Sequence, residues 1–385
     1  MERVTVWVVE VLLWLLLFSA FYSMFLYPML MFVMSQVWRK KFKRAPIRPK
    51  VSLVIAAYNE EKSIAAKIEN SLALNYPKDK LEVIVASDGS TDRTDEIVRG
   101  FAGRGVKLFR LEGNVGKSAM LNEAIQQAEG EIVAVSDATG MWSKDSVRLM
   151  AEHFADERVA CVSGRVVYNY DRSATASGFG VYQRFVTGLR RAEAAFGAAC
   201  NAPGSIHAFR KSAFIPSPPA TFMDMVDPFH TAMQGYCTTY EDNATSLEES
   251  RTTIRDEFQA RLRICVRSWT FTFYALSRFP ILRSPMYCFQ VISHKFLRYL
   301  IGPSLVVAFV ANALLLEQHW IYQVMFAGQV LYWLMTLAAY LASRTGKRIP
   351  GLSGLLFFNS VNVAYLRALI LYLTGKRVAH WTPIR

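Results

Sequence analysis

The sequence predicts an α/β domain built on a mostly parallel sheet and joined to transmembrane and interfacial helices. Two observations carry that reading. Apolar stretches almost without charge lie at both ends of the chain, and between them short apolar runs alternate with amphipathic ones. Of the 385 residues, 52% are hydrophobic, a rich share for a domain that faces only water. Residues 4–38 carry one charge, Glu10; residues 299–316 and 319–342 carry no Lys, Arg, Asp or Glu; residues 352–374 carry only Arg367. A helix crosses the apolar part of a bilayer in roughly 20 residues, so each stretch is long enough to span. Asn359, Asn362 and Arg367 leave the last stretch a second reading as a buried or interfacial helix, because such groups are costly against lipid.

The middle of the chain reads element by element. Val51–Tyr58, Leu81–Ser87, Val106–Leu111 and Glu131–Val135 are short apolar, β-branched runs. Glu60–Leu74, Thr91–Phe101 and Lys117–Ala128 between them have helical spacing. Strand–helix alternation implies parallel strands with helices on both faces, and such sheets bind ligands beyond the carboxyl ends of their strands. The chain divides into an anchor with a basic juxtamembrane segment (1–45), a globular domain (46–250), interfacial amphipathic helices (251–298) and C-terminal transmembrane helices (299–385). Residues 179–198 and 252–274 space Phe179, Tyr182, Phe185, Leu189 and Phe196, and Ile254, Phe258, Leu262, Trp269 and Phe273, near helical periods. Arg184, Arg190 and Arg191, and Arg255, Arg261, Arg263 and Arg267, lie among them. Basic amphipathic helices of this kind lie in the headgroup plane.

Net charge is +13, from 44 Lys and Arg against 31 Asp and Glu. Arg39, Lys40, Lys41, Lys43, Arg44, Arg48 and Lys50 follow the first apolar stretch with no acid among them. The positive-inside rule puts that end in the cytoplasm. The expected setting is the plasma (bacterial inner) membrane, with the globular domain cytoplasmic and membrane lipids as partners. Zinc-knuckle spacing and aromatic RNA-binding motifs are missing, so nucleic acid is not an expected partner. The five cysteines are scattered singly, which fits a reduced compartment.

The polar residues that could do chemistry fall at the four strand ends. Ala57-Tyr58-Asn59-Glu60 follows the first run, offering a ring and an amide to a base or ribose. Asp88 follows the second, in Ser87-Asp88-Gly89-Ser90-Thr91-Asp92, free to accept a hydrogen bond. Gly116-Lys117 opens a helix after the third, where an amine and the helix N-terminus suit a phosphate. Asp137-Ala138-Thr139 follows the fourth, with a carboxylate suited to a divalent cation on a diphosphate. No complete phosphate-loop pattern is present, which argues against a kinase or GTPase.

Residues 48–142 resemble family 2 glycosyltransferases of the GT-A fold, in particular membrane synthases of the hyaluronan, chitin, cellulose and poly-N-acetylglucosamine type. Ala56–Glu60 is similar to the family's P-x-Y-N-E with Ala for Pro. Ser87–Asp92 is similar to D-D-G-S-x-D with Ser for the first Asp, and Gly116–Asn122 to G-K-x-x-A-L-N. Asp137-Ala138-Thr139 looks like the D-x-D or D-A-N metal motif, with Thr139 in its last place. The resemblance implies an inverting transferase that moves a sugar from a UDP-sugar, with Mg2+ or Mn2+, to a carbohydrate or lipid-linked acceptor. The pathway would be exopolysaccharide, envelope polysaccharide or glycolipid synthesis, with other subunits of such a pathway as possible partners. Ala57, Tyr58, Asn59, Glu60, Asp88, Gly116, Lys117 and Asp137 would hold the donor, Asp137 and Thr139 the metal. Further on, Gly204 and Ser205 resemble the acceptor-side segment, and Asp224 takes the place of the base. Asp227 and Glu241-Asp242 are its rivals. Of the processive Q-x-x-R-W only Arg263 matches, with Trp269 nearby as a second acceptor contact. A nonenzymatic nucleotide-sugar-binding subunit is the alternative.

Overall fold

The computed structural model describes residues 3–169, 175–249, 254–344 and 351–375. The strands are β1 (Val51–Ala57), β2 (Leu81–Asp88), β3 (Val106–Leu111), β4 (Ile132–Asp137), β5 (Met141–Trp142), β6 (Val159–Asn169), β7 (His207–Arg210) and β8 (Cys237–Glu249). They form one 8-stranded sheet in the order β3-β2-β1-β4-β7-β6-β8-β5. The pairs β1–β2, β1–β4, β2–β3 and β6–β8 are parallel. β4–β7, β6–β7 and β5–β8 are antiparallel over short stretches, so the sheet is mostly parallel, as expected, with antiparallel pairings at β7 and β5.

Alternation at period two explains why β1 and β2 read as unbroken apolar runs. Leu53, Ile55, Val83 and Val85 point to one face, where Ile64, Ile68 and Val98 of the helices Ile64–Leu72 and Thr94–Gly100 cover them. Val54, Ala56, Ile84 and Ala86 point to the other, under Met120, Leu121, Ala124 and Ile125 of the helix Lys117–Gln127. The registers Ala57↔Ser87 and Ala56↔Asp137 bring the carboxyl ends of β1, β2 and β4 to one rim. β7 runs antiparallel to β4 with Val135↔His207, so the loop before it, residues 201–206, reaches the same rim.

Among the described residues, three helices are long and apolar enough to cross a membrane: Val4–Val37, Trp320–Arg344 and Gly354–Leu373. The stretch expected to span at residues 299–316 is different. Pro285–Tyr299 and Ile301–Leu314 form a pair bent by 57°, and the second member alone is too short for ~30 Å of hydrocarbon. Pro303 lacks the amide that would bond Tyr299, one cause of the break. Inside the first span the chain takes a π-helical turn at Tyr22–Leu26, just before Pro28, which accommodates the missing amide there.

Two polar pairs link the spans to other helices, sparing those groups from hydrocarbon. The Tyr322 hydroxyl donates to Glu10 at 3.0 Å, and that of Tyr332 to Asn359 at 2.8 Å. The basic juxtamembrane segment is pinned to the sheet domain. Lys40 N donates to the Ala195 carbonyl at 2.9 Å, Lys43 N to Asp156 at 2.8 Å, and Arg44 pairs with Glu241 at 2.6 Å. Of these contacts the Arg44 ion pair uses the segment's charge, and the other two use its main-chain amides.

A separate apolar core fuses membrane and sheet elements. Tyr27 and Met31 of the first span meet Leu189, Phe196, Phe229, Trp269, Tyr299 and Ala364 there. At its centre Glu193, fully buried, accepts from the Tyr27 hydroxyl at 2.6 Å and from His294 Nδ1 at 2.7 Å, and Cys200 Sγ lies 3.4 Å from its other oxygen. Glu193→Ala leaves two buried donors without an acceptor, at about 1–3 kcal/mol each. The Tm of detergent-solubilised protein should fall several degrees, more than for Glu193→Gln. Equal Tm values for wild type and Glu193→Ala would remove this network from the account of the junction.

Candidate active site

Two rim loops are locked to one another by hydrogen bonds. Asn59 takes a left-handed conformation, φ 54°. Its amide donates to Ser90 Oγ at 3.1 Å, and its side-chain oxygen accepts from Thr91 N at 2.7 Å. Glu60 N donates to Thr94 Oγ1 at 2.8 Å, and Glu61 N to Asp92 at 3.1 Å. Ala57 is fully buried as the last residue of β1, while Tyr58 stands half-buried at the rim.

Asp88 does not project from the strand tip as expected. It is fully buried, and its carboxylate accepts from Val115 N and Gly116 N, each at 2.9 Å. Those bonds fix the turn at Gly116, φ 99°, from which the helix carrying Lys117 starts. Lys117 Nζ then donates to Asp137 Oδ1 across the rim. Behind Asp137, Lys67 is fully buried, donates to the Gly140 carbonyl at 2.5 Å and lies over the Trp142 ring at 5.1 Å. Burial pushes its amine down to about 7, against the pull of Asp137 and Glu248.

Lys117 and Asp137 line a cavity of about 480 Å3, within the range that small-molecule sites use. Gly204, Ser205 and Asp224 line it too, as do His207, Glu248, Arg190, Arg267, Lys295, Tyr299 and Tyr365. Of the residues expected to form the site, Lys117, Asp137, Gly204, Ser205 and Asp224 are brought together, whereas Ala57, Tyr58, Asn59, Glu60, Asp88 and Gly116 are not among those that line the cavity. A Cβ on Gly204 would lie 3.6 Å from Lys117 Nζ and 4.0 Å from Asp224 Cβ, so a small residue keeps this corner open.

Asp224 sits in the first turn of the helix Met223–Met233. Its Oδ1 is withdrawn from solvent and, among the described residues, has no hydrogen-bond partner. Burial pushes its pKa up from the usual value, Asp137 adds to the rise, and Lys117, His207 and Lys295 oppose it. The rivals are committed elsewhere. Asp227 is held by His207 Nε2 at 3.0 Å in the core; Glu241 by His153 and Arg44; Asp242 by Arg191.

Three expected contacts are corrected. Trp269 is 1% exposed and donates its indole N–H to the Tyr365 carbonyl at 3.1 Å, so it is core and not acceptor wall. Arg263 is not a lining residue; Arg267, one helical turn on, is. Thr139 is exposed and lines nothing in the cavity, so of the two expected metal ligands only Asp137 faces it. Arg190 and Arg267, assigned to the headgroup plane, turn inward. Phe179, Tyr182, Ile254, Phe258, Arg255 and Arg261 lie outside the residues whose side chains are described. Glu248 and Lys295 had no local signal; β8, which carries Glu248, is polar along much of its length.

Residues 52–215 match the family described as Glycosyl transferase family 2. The chain carries a glycosyl transferase family 2 domain. That domain is 37% identical over 111 residues to the beta-monoglucosyldiacylglycerol synthase of Synechocystis sp., covering 28% of this chain and 23% of the relative. It is 31% identical over 166 residues to the poly-beta-1,6-N-acetyl-D-glucosamine synthase of Staphylococcus epidermidis, covering 42% and 40%. The matches span less than half the length of these relatives. Over 96% of this chain and 99% of the other, the structure resembles a mannosyltransferase from Pyrobaculum calidifontis solved with GDP-Man and Mn2+, with TM-score 0.69 at 22% identity. The GT-A fold and the arrangement of helices around it are therefore shared with a solved transferase.

Gly89 makes the glycosyl transferase domain's rim sensitive to one methyl group. It has φ +71°, and a Cβ there would lie 2.6 Å from the Gly113 carbonyl oxygen. Gly89→Ala should destabilise by about 1–3 kcal/mol from backbone strain and weaken nucleotide binding as the Asp88 loop shifts. Calorimetric titration with nucleoside diphosphates together with Tm reads both, and a variant normal in each would show the loop to be pliable.

Proposed function

We propose that the protein is an inverting, membrane-integrated glycosyltransferase that moves a sugar from a nucleoside diphosphate donor to a carbohydrate or lipid-linked acceptor at the membrane. The observation that carries the reading is one cavity lined at once by Lys117, Asp137 and Asp224 and, on its far wall, by Tyr365 of an apolar span. Its place is the plasma membrane, with the sheet domain cytoplasmic, as the basic residues after the first span imply. A UDP-sugar is the expected donor; the GDP-Man held by the Pyrobaculum calidifontis enzyme makes a guanosine donor the comparison to run against it.

Tyr58, half-buried at the rim but not a cavity-lining residue, is the expected base contact, and Lys117, which does line the cavity, would offset phosphate charge. Asp137 is the metal ligand. Its side chain is 32% exposed and Glu248 faces the same cavity, an oxygen donor set that would suit a hard cation such as Mg2+ or Mn2+. Such an ion supplies Lewis acidity at the diphosphate. Asp224 is the general base. Its unpartnered oxygen takes the acceptor hydroxyl proton, that oxygen bonds to the anomeric carbon, and the bond to the diphosphate breaks with its electrons leaving on the nucleotide. One base with direct displacement inverts the carbon, since a retaining route needs a second closely set carboxylate as nucleophile.

Asp224→Asn should lower kcat at least about a hundredfold. The pKa of Asp224 is raised, so the ionised carboxylate costs stability above its folded pKa, and that cost vanishes as pH falls and both states protonate. The same variant should therefore hold or raise Tm at pH 7 and match wild type in acid. Near-normal turnover by Asp224→Asn would reject the base. The acid limb of the wild-type pH–rate profile should also lie above the ~3.9 of a free aspartate. Chelation should stop transfer and added Mn2+ or Mg2+ restore it, whereas full activity in excess chelator would remove the metal from the mechanism.

A further inference from the structure

The ring of His207 is bonded at both nitrogens, and both partners are acceptors. Nδ1 lies 2.9 Å from the Pro203 carbonyl oxygen, and Nε2 lies 3.0 Å from Asp227 Oδ2. A neutral imidazole has a single N–H, so it can donate to one of these oxygens and not to both. The ring is fully buried and Asp227 is 5% exposed. A bare ring nitrogen facing a carboxylate oxygen there would leave two acceptors unsatisfied out of water, which is costly. The arrangement closes when the pair holds one more proton. An imidazole is the stronger base of the two, by reference values of about 6.5 against about 3.9, so that proton rests on the ring. His207 then donates to the carbonyl and to the carboxylate at once, and its charge is paired and hydrogen-bonded as a buried charge must be.

The pair turns its positive end toward the base. His207 lines the cavity with Asp224, whereas Asp227 is not among the lining residues. Ala202 N donates to the Asp224 carbonyl at 2.7 Å, and Pro203, whose carbonyl holds His207, is the next residue. Ring and base are thus tied to one short stretch of backbone. The charge of His207 acts on Asp224 and opposes the rise that burial imposes. Other charges reach the base from neighbouring elements. Lys117 and Lys295 also oppose the rise, Asp137 adds to it, and Arg267 interacts with Asp224. Glu248 and Arg190 line the same cavity. Around Asp227 lie His230 and Cys161, on which its charge acts. Lys117 is paired with Asp137, and Lys295 is shared with the buried Glu193. His207, by contrast, has its acid partner on the side away from the cavity.

We propose that His207 is a positioning residue, an imidazolium held by Asp227 whose charge keeps the buried carboxylate of Asp224 ionised and ready to take the acceptor proton. This rests on the transferase reading with Asp224 as base, and adds the group that lets a carboxylate serve while withdrawn from water. The proton taken from the acceptor hydroxyl goes to Asp224; His207 keeps both of its own and is not on that path. Asp227, a rival for the base in the sequence, becomes the anchor of the base's partner.

The test uses the full chain, with 15N-labelled histidine, in liposomes of a total bacterial lipid extract. Magic-angle-spinning NMR at about pH 7.5, where a free histidine is mostly neutral, should show two N–H nitrogens for His207, its signals assigned by their loss in His207→Gln. Asp227→Asn offers an amide N–H to Nε2 and should return the ring to one N–H and one bare nitrogen. A single N–H on the wild-type ring overturns the proposal, by placing the shared proton on Asp227. In the same liposomes, transfer from radiolabelled UDP- and GDP-sugars is followed against pH. Removing a charge that opposes the rise lifts the Asp224 pKa further, so the acid limb of kcat/KM should move about one pH unit or more toward alkali in Asp227→Asn and in His207→Gln. The loss of rate should then shrink as pH climbs through the limb. A fall by the same factor at every pH, with the limb unmoved, overturns the proposal by leaving His207 a packing role. Near-normal transfer by Asp224→Asn would defeat the base reading, and turnover of no nucleotide-sugar the transferase reading; either takes this proposal with it, whatever the ring's protons.

Discussion

The buried carboxylate of Asp88 is the contact on which the site depends. It has no water to satisfy it, so its two bonds to the Val115 and Gly116 amides are obligatory rather than optional. They hold a glycine turn that would otherwise sample many conformations, and they place a negative charge at the start of the Lys117 helix, where the helix dipole favours it. Lys117 is then delivered to Asp137 from a strand three places away in the sheet order. Gly89, the next residue, approaches the backbone of Gly113 so closely that no side chain fits between the two turns. The rim is thus built from backbone contacts between loops, and the side chains facing the cavity inherit their positions from it.

Much of this was legible because burial on both faces of a sheet writes an unbroken apolar run. β3 begins and ends where the sequence put it, and β1, β2 and β4 differ by one or two residues at their ends. β7 and β8 were not legible. One has only four residues, and the other, Cys237–Glu249, is dominated by Thr, Glu, Asp and Asn. Both pair where tertiary contacts decide the outcome, which is why the sheet is mixed and why Glu248 went unseen. Asp88 and Asp137 both end strands, but the sequence could not separate a carboxylate that faces a cavity from one that ties loops together. Trp269 failed for a related reason: an acceptor channel and an apolar junction both use a large aromatic ring, and spacing does not distinguish them.

The amphipathic helices show the same ambiguity in charge. Arginines between aromatic residues fit a headgroup plane, yet Arg190 and Arg267 are turned toward the cavity. The guanidinium of Arg267 lies over the Phe222 ring at 5.1 Å, a contact that offsets part of the loss of water. A helix that packs on a membrane span with one face and on a sheet domain with another has no fully lipid face left, so its cations go where polar space exists. In this chain that space is the cavity.

The membrane helices consequently do more than anchor. Lys295 lies in a π-helical stretch, Val291–Phe296, and Tyr299 ends the short helix after it, immediately before the 57° bend. A straight, regular helix through residues 285–314 would keep its backbone bonded and lie along the other spans. The wide π turn and the break redirect it, and both irregularities fall beside cavity residues, where such departures tend to occur. Backbone that leaves regular geometry near a membrane is tolerated only when buried in protein or facing a polar cavity. Tyr299 meets both conditions, buried against Tyr365 and Trp269 on one side and lining the cavity on the other. The polar cavity therefore makes the break tolerable, and the break in turn sets the wall that closes the cavity toward the lipid.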